Sequence, residues 1–344
     1  MTAGKINVGL IGYGLAGATF HAPLIFSVDR FQLRAIATSR PVAITGQELR
    51  VTPDAQAILE ADDIDMVVIA TPNELHFPTA QAALDAGKHV VVDKPFTLDV
   101  GQATALIAQA QERDRLLSVF HNRRWDGDYL TVRRLVTDGR LGEISLFEAR
   151  WDRFRPAIKR GWREVPAQGA GLLNDLGPHL VDQALQLFGL PDAISGDVTA
   201  QRPGAAVDDY FELVLHYGRM RAILSASTLV AAPRPRFALH GSKGSFVKFG
   251  IDPQEAALKA GITPGTSGFG RDDPSRYGTL TDAEGRSQAV ATEEGRYTAF
   301  YEAVADAILL RQPVPVDPAD ARTGLRIIEI ARQSAREGRR LPLD

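Results

Sequence analysis

Residues 5–17 read KINVGLIGYGLAG, an apolar run followed by three closely spaced glycines. The glycines fit the pattern G-x-G-x-x-G, and the residues after them have the apolar spacing of a helix. In this strand–turn–helix context, backbone N–H groups can close on a pyrophosphate at a helix N-terminus, where the dipole favours negative charge. The stretch therefore predicts a dinucleotide-binding turn with contacts from Gly12, Tyr13, Gly14, Leu15 and Gly17. The alternative is a glycine-rich turn that only packs the strand on the helix.

The first 122 residues alternate short apolar runs with helical patterns. The runs are continuous in Val, Ile and Leu rather than alternating in polarity, which is typical of parallel strands covered on both faces. The predicted strands are Lys5–Ile11, Phe31–Thr38, Asp65–Ala70, His89–Asp93 and Leu116–Phe120. Strand–helix alternation of this kind predicts an α/β fold with a Rossmann domain over residues 1–122.

The pattern changes after residue 122. Several predicted strands follow one another at hairpin-like spacings, so they must pair antiparallel. Residues 123–344 are therefore expected to form an α+β domain, with a largely antiparallel open sheet and helices on one face. Residues 251–290 are rich in Gly, Pro, Ser and Asp, and we expect them to form a lid or a mobile surface loop.

The composition limits the class of protein. The chain has 344 residues, a formal net charge of −3 and no cysteine. No apolar run approaches the roughly 18 residues that span a bilayer, and the N-terminus enters a strand pattern with no room for a signal peptide. We therefore expect a soluble, cytoplasmic protein with no nucleic-acid or membrane partner. The histidines are scattered without ligand spacing, so no metal site is expected.

The end of the second predicted strand indicates which dinucleotide binds. An NAD site usually has an Asp or Glu there, which bonds the ribose 2′-hydroxyl. This sequence has Ser39 and Arg40 instead, and a guanidinium can hold a 2′-phosphate through two parallel hydrogen bonds. The sequence therefore favours NADP over NAD, although Arg40 could also be an ordinary loop residue.

The stretch VVVDKPF at residues 90–96 ends a buried strand with a lysine and a proline. In open α/β sheets, ligands bind beyond the carboxyl ends of the strands, and Pro95 restricts Lys94 to extended conformations. This places Lys94 over the cofactor crevice, whereas a lone lysine would otherwise be a solvated strand end. The neighbouring strand ends in TPNELH, in which Asn73 and His76 are polar candidates beside the cofactor.

Residues 169–179 read GAGLLNDLGPH and open a long helical pattern. Because Pro178 breaks a helical hydrogen bond beyond the first turn, we expect the helix to start near Asn174. Asp175 and His179 then lie four residues apart on one face. A neutral imidazole near a helix N-terminus and beside a carboxylate is a suitable proton acceptor. Equally, Asp175 could cap the helix while His179 makes a local hydrogen bond.

Together these motifs resemble the glucose–fructose oxidoreductase / inositol dehydrogenase (Gfo/Idh/MocA) family. The glycine turn, Asp93-Lys94-Pro95, and Asp175 three residues ahead of Pro178-His179 have the family's order and spacing along essentially the whole chain. The stretches TPNELHFP, VVVDKPF, FHNRRWD and FRPAIKRGWRE resemble most closely a branch with NADP-dependent scyllo-inositol dehydrogenases.

The resemblance implies roles for further residues. The lysine of the family's Glu-Lys-Pro motif contacts the nicotinamide ribose and the substrate, often next to a cis Lys–Pro bond. Lys94 matches this lysine. Asp93 takes the place of the glutamate, and its side chain is shorter by one methylene group. The implied cofactor contacts are Thr71, Pro72, Asn73, His76, Asp93, Lys94, Asn122, Trp162, Arg163 and Tyr297; from the sequence alone Trp162 would be core and Arg163 surface. The resemblance also implies a homodimer or larger homo-oligomer, formed through the open face of the second sheet.

These residues suggest a metal-free hydride transfer between a nicotinamide and a secondary hydroxyl of a cyclic polyol or sugar. His179 would take the hydroxyl proton, Asp175 would orient the imidazole, and Lys94 would stabilise the reacting oxygen. The alternatives are a reductase of another sugar or keto-sugar and a non-catalytic NADP(H)-sensing protein.

Residues 151–163 interleave basic and aromatic side chains, a pattern that can bind nucleic acid, phosphates or hydroxyl-rich ligands. Because the net charge of the chain is only −3, we expect this stretch to line the rim of a substrate cleft rather than to bind nucleic acid. Arg153 and Arg155 are the candidate substrate contacts. A solvated face is the alternative.

Overall fold

The computed structural model describes residues 5–42, 44, 48–158, 164–166 and 169–343. The chain divides into two compact units. The first comprises Met1–Trp125, Pro253–Phe269 and Arg296–Arg322, and the second comprises Asp126–Asp252, Gly270–Gly295 and Thr323–Asp344. The first unit thus includes two segments that follow the second unit's first segment in the chain.

Fifteen strands occur among the described residues. In chain order they are β1 (Ile6–Ile11), β2 (Phe31–Ala37), β3 (Arg50–Thr52), β4 (Met66–Ile69), β5 (His89–Asp93), β6 (Leu117–Phe120), β7 (Ile144–Arg150), β8 (Ala193–Thr199), β9 (Tyr210–Tyr217), β10 (Met220–Ser227), β11 (Phe237–Gly241), β12 (Gly244–Lys248), β13 (Gly278–Asp282), β14 (Ser287–Val290) and β15 (Leu341–Pro342).

The helices of the described residues follow the same convention. The α-helices are α1 (Ala22–Phe26), α2 (Gln56–Leu59), α3 (His76–Asp85), α4 (Val100–Glu112), α5 (Gly127–Thr137), α6 (Leu172–Phe188), α7 (Gln254–Lys259), α8 (Thr298–Leu310) and α9 (Pro318–Glu337). A π-helical segment, Gly17–His21, leads into α1, and 3-10 turns occupy Asn73–Leu75, Asn122–Trp125 and Pro274–Arg276.

The first unit contains a six-stranded parallel sheet with the order β3-β2-β1-β4-β5-β6. The predicted Rossmann architecture is confirmed. The side chains of β4 and the three valines of β5 are fully buried, and burying each such side chain contributes about 1.5–3 kcal/mol. The order of the strands reverses between β1 and β4, which is where ligands bind in sheets of this kind. The sequence pattern missed β3 because this edge strand has only three residues and two of them are exposed.

Buried arginines hold the later segments of the first unit in place. The Arg123 guanidinium donates hydrogen bonds to the Tyr297 hydroxyl and to Glu255. The Arg124 guanidinium donates to Asp320 at 3.0 Å. Both arginine residues are less than a tenth exposed, so the basic pair after β6 has a structural role.

The second unit contains a nine-stranded sheet with the order β14-β13-β12-β11-β7-β10-β9-β8-β15. Only the β7–β10 pair is parallel, so the predicted, largely antiparallel sheet is confirmed. Helix α6 packs on this sheet, where Leu180, Val181 and Ala184 join Phe147 and Leu224 in one apolar core.

Residues 251–290, expected to form an irregular lid or mobile surface loop, contain regular structure, and a role as a lid stays a prediction. This segment contains α7, and β13 and β14 extend the sheet beyond β12. The buried Lys248 ammonium donates to Asp272 at 2.7 Å and to the Arg276 carbonyl at 2.8 Å, which anchors the chain before β13. Strands β13 and β14 are both short and carry few large apolar side chains, so the sequence pattern resembled a loop.

Candidate active site

The glycine turn after β1 has the backbone that its sequence requires. Gly12 has φ of +98°, and a Cβ atom there would collide with the backbone of Ala70. A Cβ atom on Gly17 would collide with the carbonyl of Gly12. Both positions therefore exclude a side chain, because strand and helix approach each other closely at the turn.

The same turn leaves room for a ligand at its middle glycine. A Cβ atom on Gly14 would meet no protein atom within 4 Å, and the neighbouring Leu15 is 55% exposed. Tyr13 is half-buried. Just beyond the end of the neighbouring strand β4, the Thr71 hydroxyl is buried and has no hydrogen-bond partner among the described residues. Open space beside a glycine and an unsatisfied hydroxyl at the next strand end fit a dinucleotide phosphate.

Ser39 and Arg40 lie on the surface just after β2. The backbone N–H of Arg40 donates to the Thr38 hydroxyl at 3.0 Å, which shapes this turn. No ion pair involves Arg40 within the described ranges, whereas Arg34, which lies on β2, donates to the Asn7 amide oxygen at 3.1 Å. The Arg40 guanidinium is thus exposed at the strand end where a 2′-phosphate would lie.

Lys94 stands directly beyond the carboxyl end of β5. The Lys94–Pro95 peptide bond is cis, as the family resemblance implies. The Asp93 carboxylate accepts the Lys94 backbone N–H at 2.8 Å, and its side chain is 18% exposed. Asp93 therefore shapes the turn around the lysine, and its contact with a cofactor stays a prediction.

The end of β4 lies next to this lysine turn, because β4 and β5 are neighbours. Pro72 precedes a 3-10 turn that begins at Asn73, which is 8% exposed. His76 begins α3 and is 1% exposed; its two ring nitrogens lie 2.7 Å from the Pro95 carbonyl and 3.1 Å from the Thr71 carbonyl. The ring of His76 is thus engaged by the protein's own backbone, and sequence reasoning had expected a cofactor contact.

Two other expected cofactor contacts lie in the interior of the first unit. Asn122 begins the 3-10 turn after β6 and is 5% exposed. Tyr297 has no exposed surface, since its hydroxyl bonds Arg123 and its ring lies 6.5 Å from the ring of Phe20. In this structure Tyr297 is a buried packing residue, and its contact with a cofactor stays a prediction.

In the second unit, helix α6 starts at Leu172, so the predicted start near Asn174 is wrong. The Asp208 carboxylate accepts the Leu173 backbone N–H at 2.7 Å, and Arg332 holds that carboxylate at 3.0 Å. This capping satisfies the helix start and stabilises the first turn despite Pro178 inside the helix. Pro178 has no N–H to donate to the Asn174 carbonyl. The absence of this helical bond is the reason the sequence predicted a later helix start.

Asp175 and His179 project from one face of α6. Asp208 caps the helix, so the alternative in which Asp175 is the cap is wrong. The Asp175 carboxylate lies 3.5 Å from the Arg153 guanidinium, with 18% and 26% of the two side chains exposed. The His179 ring is 5% exposed and stacks on Trp151, with centroids 5.9 Å apart and planes at 30°. The helix thus carries a packed imidazole and a half-buried carboxylate paired with a guanidinium.

The basic stretch after β7 is only partly described. Arg155 is exposed, and its backbone N–H donates to the Thr228 carbonyl at 2.7 Å. Buried Arg202 donates to Glu164 at 2.7 Å and to Asp209 at 2.7 Å, which fixes the chain after the stretch. Trp162 and Arg163, expected to contact the cofactor, lie outside the described residues.

Sequence reasoning missed two residues that shape this part of the site. Asp208 belongs to an Asp-Asp pair ahead of β9, and acidic residues at such positions cap helices, but its helix is 35 residues away in the chain. Trp151 begins the basic and aromatic stretch, and only the structure shows its ring against His179.

Within the described residues, no group of three or more His, Asp or Glu side chains could hold a metal ion. None of the helices in the described part of the chain has the length and apolar character needed to cross a bilayer.

Two models of the Gfo/Idh/MocA family match the chain. The model described as "Oxidoreductase family, NAD-binding Rossmann fold" matches residues 6–121. The model described as "Oxidoreductase family, C-terminal alpha/beta domain" matches residues 133–343. Together they cover both the glycine turn and helix α6.

Individual relatives match along nearly the full length. The uncharacterized oxidoreductase YdgJ of Escherichia coli strain K12 is 44% identical, over 96% of this chain and 97% of YdgJ. The scyllo-inositol 2-dehydrogenase (NADP(+)) IolW of Bacillus subtilis strain 168 is 40% identical, over 98% of this chain and 96% of IolW. The solved structure of the Bacillus subtilis oxidoreductase yvaA superposes with a TM-score of 0.97 at 38% identity and covers 100% of both chains.

Proposed function

Since this chain is an oxidoreductase of the Gfo/Idh/MocA family, we propose that it oxidises a secondary hydroxyl of a cyclic polyol, of the scyllo-inositol type, with NADP⁺. The observation that carries the proposal is the placement of Lys94, directly beyond β5 on the sheet that bears the glycine turn. The substrate class rests on the likeness to IolW, which is named as a scyllo-inositol 2-dehydrogenase. A nicotinamide cofactor fits the open space at Gly14 and the unsatisfied Thr71 hydroxyl.

In this proposal three side chains act on one substrate carbon. The bound nicotinamide would supply the hydride acceptor. His179 would accept the hydroxyl proton, and Asp175 would orient the imidazole and stabilise its charged form. Lys94 would donate a hydrogen bond to the reacting oxygen, where negative charge develops. At about 4 Å and an effective dielectric constant of about 20, a positive charge there stabilises the developing alkoxide by about 4 kcal/mol.

The preference for NADP rests on the residues after β2. The exposed Arg40 guanidinium would hold the 2′-phosphate through charge-assisted hydrogen bonds, and the Ser39 hydroxyl would add one more. The residues that follow β2 directly, from Thr38 to Arg40, include no carboxylate that would favour NAD.

We also propose a homodimer or larger homo-oligomer and a cytoplasmic location, as the family resemblance and the absence of cysteine suggest. Light scattering on the purified chain and fractionation of its host cells test these two points.

A substrate panel tests the reaction. We expect scyllo-inositol or a related inositol to reduce NADP⁺ with a higher kcat/KM than hexoses or pentoses. Tight NADPH binding with no turnover of any polyol, sugar or keto-sugar in either direction would instead indicate a non-catalytic NADP(H)-sensing protein.

A substitution at Arg40 tests the cofactor preference. Arg40→Ala should raise the KM for NADP⁺ by about 10- to 100-fold, because hydrogen bonds to charged groups contribute about 1.5–3 kcal/mol. The KM for NAD⁺ should change little. Arg34→Ala is the matched control, since Arg34 bonds Asn7 instead and should leave the ratio of the two KM values unaltered. Equal loss with both cofactors in Arg40→Ala would refute the role of Arg40.

A further inference from the structure

His76 connects the ends of two neighbouring strands. Its Nδ1 atom lies 2.7 Å from the carbonyl oxygen of Pro95, which follows β5, and its Nε2 atom lies 3.1 Å from the carbonyl oxygen of Thr71, which follows β4. Only 1% of the residue is exposed. The imidazole is therefore a buried bridge between the two strand ends at which the cofactor and Lys94 are expected to meet.

Both partners of this imidazole are carbonyl oxygens, which can only accept hydrogen bonds. A neutral ring carries one N–H and can satisfy one carbonyl, whereas a protonated ring carries two and satisfies both. The shorter of the two contacts is the one to Pro95. In either protonation state the ring can therefore donate to the carbonyl of Pro95, the residue after Lys94.

We propose that His76 is a positioning residue, which ties the turn carrying Lys94 to the end of β4 and so fixes the direction of the lysine. The inference rests on the proposed role of Lys94. It differs from the expectation that His76 contacts the cofactor, because both ring nitrogens already face backbone carbonyls. Asp93 holds the other side of the same turn through its bond to the Lys94 N–H, so the lysine is fixed from both sides.

Two substitutions of nearly equal shape isolate the bond to Pro95. Asn and Leu branch alike at Cγ, and neither reaches the Nε2 position, but only Asn can place an N–H donor near the Nδ1 position. His76→Leu should lower kcat by about 10²-fold, since a displaced catalytic group costs about that much. His76→Asn should recover most of this loss. Both variants should bind NADPH, measured by its fluorescence, as tightly as the native enzyme.

His76→Gln is the complementary variant, because its amide reaches the Nε2 position and can bond Thr71 but not Pro95. We expect it to be less active than His76→Asn, and this comparison holds even where His76→Leu fails to fold. Equal kcat values for the Asn, Leu and Gln variants would overturn the inference. Weakened NADPH binding with an unaltered kcat would also overturn it and would support a cofactor contact.

Amide hydrogen exchange gives a readout that does not depend on activity. His76→Leu should speed exchange in residues 93–97, and His76→Asn should restore slow exchange. If Lys94→Met kept full turnover while this exchange pattern held, the proposed role of Lys94 would fail and the positioning by His76 would stand. If Lys94→Met abolished turnover while exchange in His76→Leu stayed native, the positioning would fail and the proposed function would stand.

Discussion

The turn at Lys94 and the start of helix α6 hold the side chains proposed for catalysis by different means. Lys94 follows a parallel strand whose three valines are fully buried. The side chains of Asp93, which ends that strand, and of His76, which begins α3, bond the backbone on either side of the lysine. His179 lies on a helix that is capped by Asp208 from a distant loop, whose carboxylate accepts the Leu173 N–H and whose backbone carbonyl accepts the Leu172 N–H. The lysine turn is thus held at the end of a sheet strand, whereas the imidazole packs on Trp151 from a helix that a distant residue caps.

This difference determines how each group should respond to substitution. The end of β5 is anchored by its fully buried valines. A substitution that removes one hydrogen bond at the Lys94 turn should therefore alter the direction of Lys94 more than the stability of the unit. The helix start is capped by a side chain from far away in the chain, and the loss of that carboxylate should lower stability and loosen the first turn, which carries Asp175.

The largest expected effect comes from the lysine itself. Lys94→Met keeps most of the side-chain length and removes the charge, and it should lower kcat about a thousandfold, equivalent to about 4 kcal/mol. Lys94→Arg is the matched control that keeps the charge, but its wider, planar head should restore only part of the rate. Steady-state kinetics on the best polyol measures both. Turnover within about tenfold of native in Lys94→Met would contradict the assignment.

The next largest expected effect is a dependence of stability on pH, which arises from His21 near the end of β5. Burial lowers the pKa of His21 from its usual 6.5 to about 4, against the opposing pull of nearby Asp93. Between these values the unfolded chain binds a proton that the folded chain does not, so stability falls as pH falls from about 6.5 to about 4. The loss from this residue should reach about 3 kcal/mol at the acidic end.

His21→Asn tests this contribution because it removes the titrating group and keeps a polar atom near the Tyr301 hydroxyl, which lies 2.7 Å from Nδ1. Urea unfolding from pH 7 to pH 4 should show a shallower loss of stability in the variant than in the native chain. Parallel pH curves for the two proteins would rule out His21 as the source.

The smallest expected effect is a loss of stability at the start of helix α6. Asp208→Ala removes the acceptor of the Leu173 N–H and should lower the free energy of unfolding by about 1 kcal/mol, as for other helix caps. Asp208→Asn keeps an oxygen acceptor and should lose only a fraction of that. Amide exchange in the first turn of α6 should rise in the Ala variant, and exchange in residues 93–97 should stay native. Loosening of both segments to the same extent would show that the two sites do not differ as described.

The two regions also differ in how well the sequence predicted them. Continuous valines predicted β5 to its last residue, and a lysine before proline at a strand end indicated the position of Lys94. The start of α6 was placed two residues late, because local rules penalise Pro178 and the compensating cap comes from Asp208, far away in the chain. The same reason explains why the burial of His76 and Tyr297 and the pairing of Arg123 were missed. Long-range partners leave no local pattern.

The proposed function requires that Lys94 and His179 act on the same reacting carbon, and a double-substitution cycle tests this most directly. Residues that act as a unit are strongly non-additive in kcat. We predict that Lys94→Met combined with His179→Asn turns over at about the rate of the slower single variant. A double variant whose loss equals the product of the two single losses would show independent sites and contradict the account.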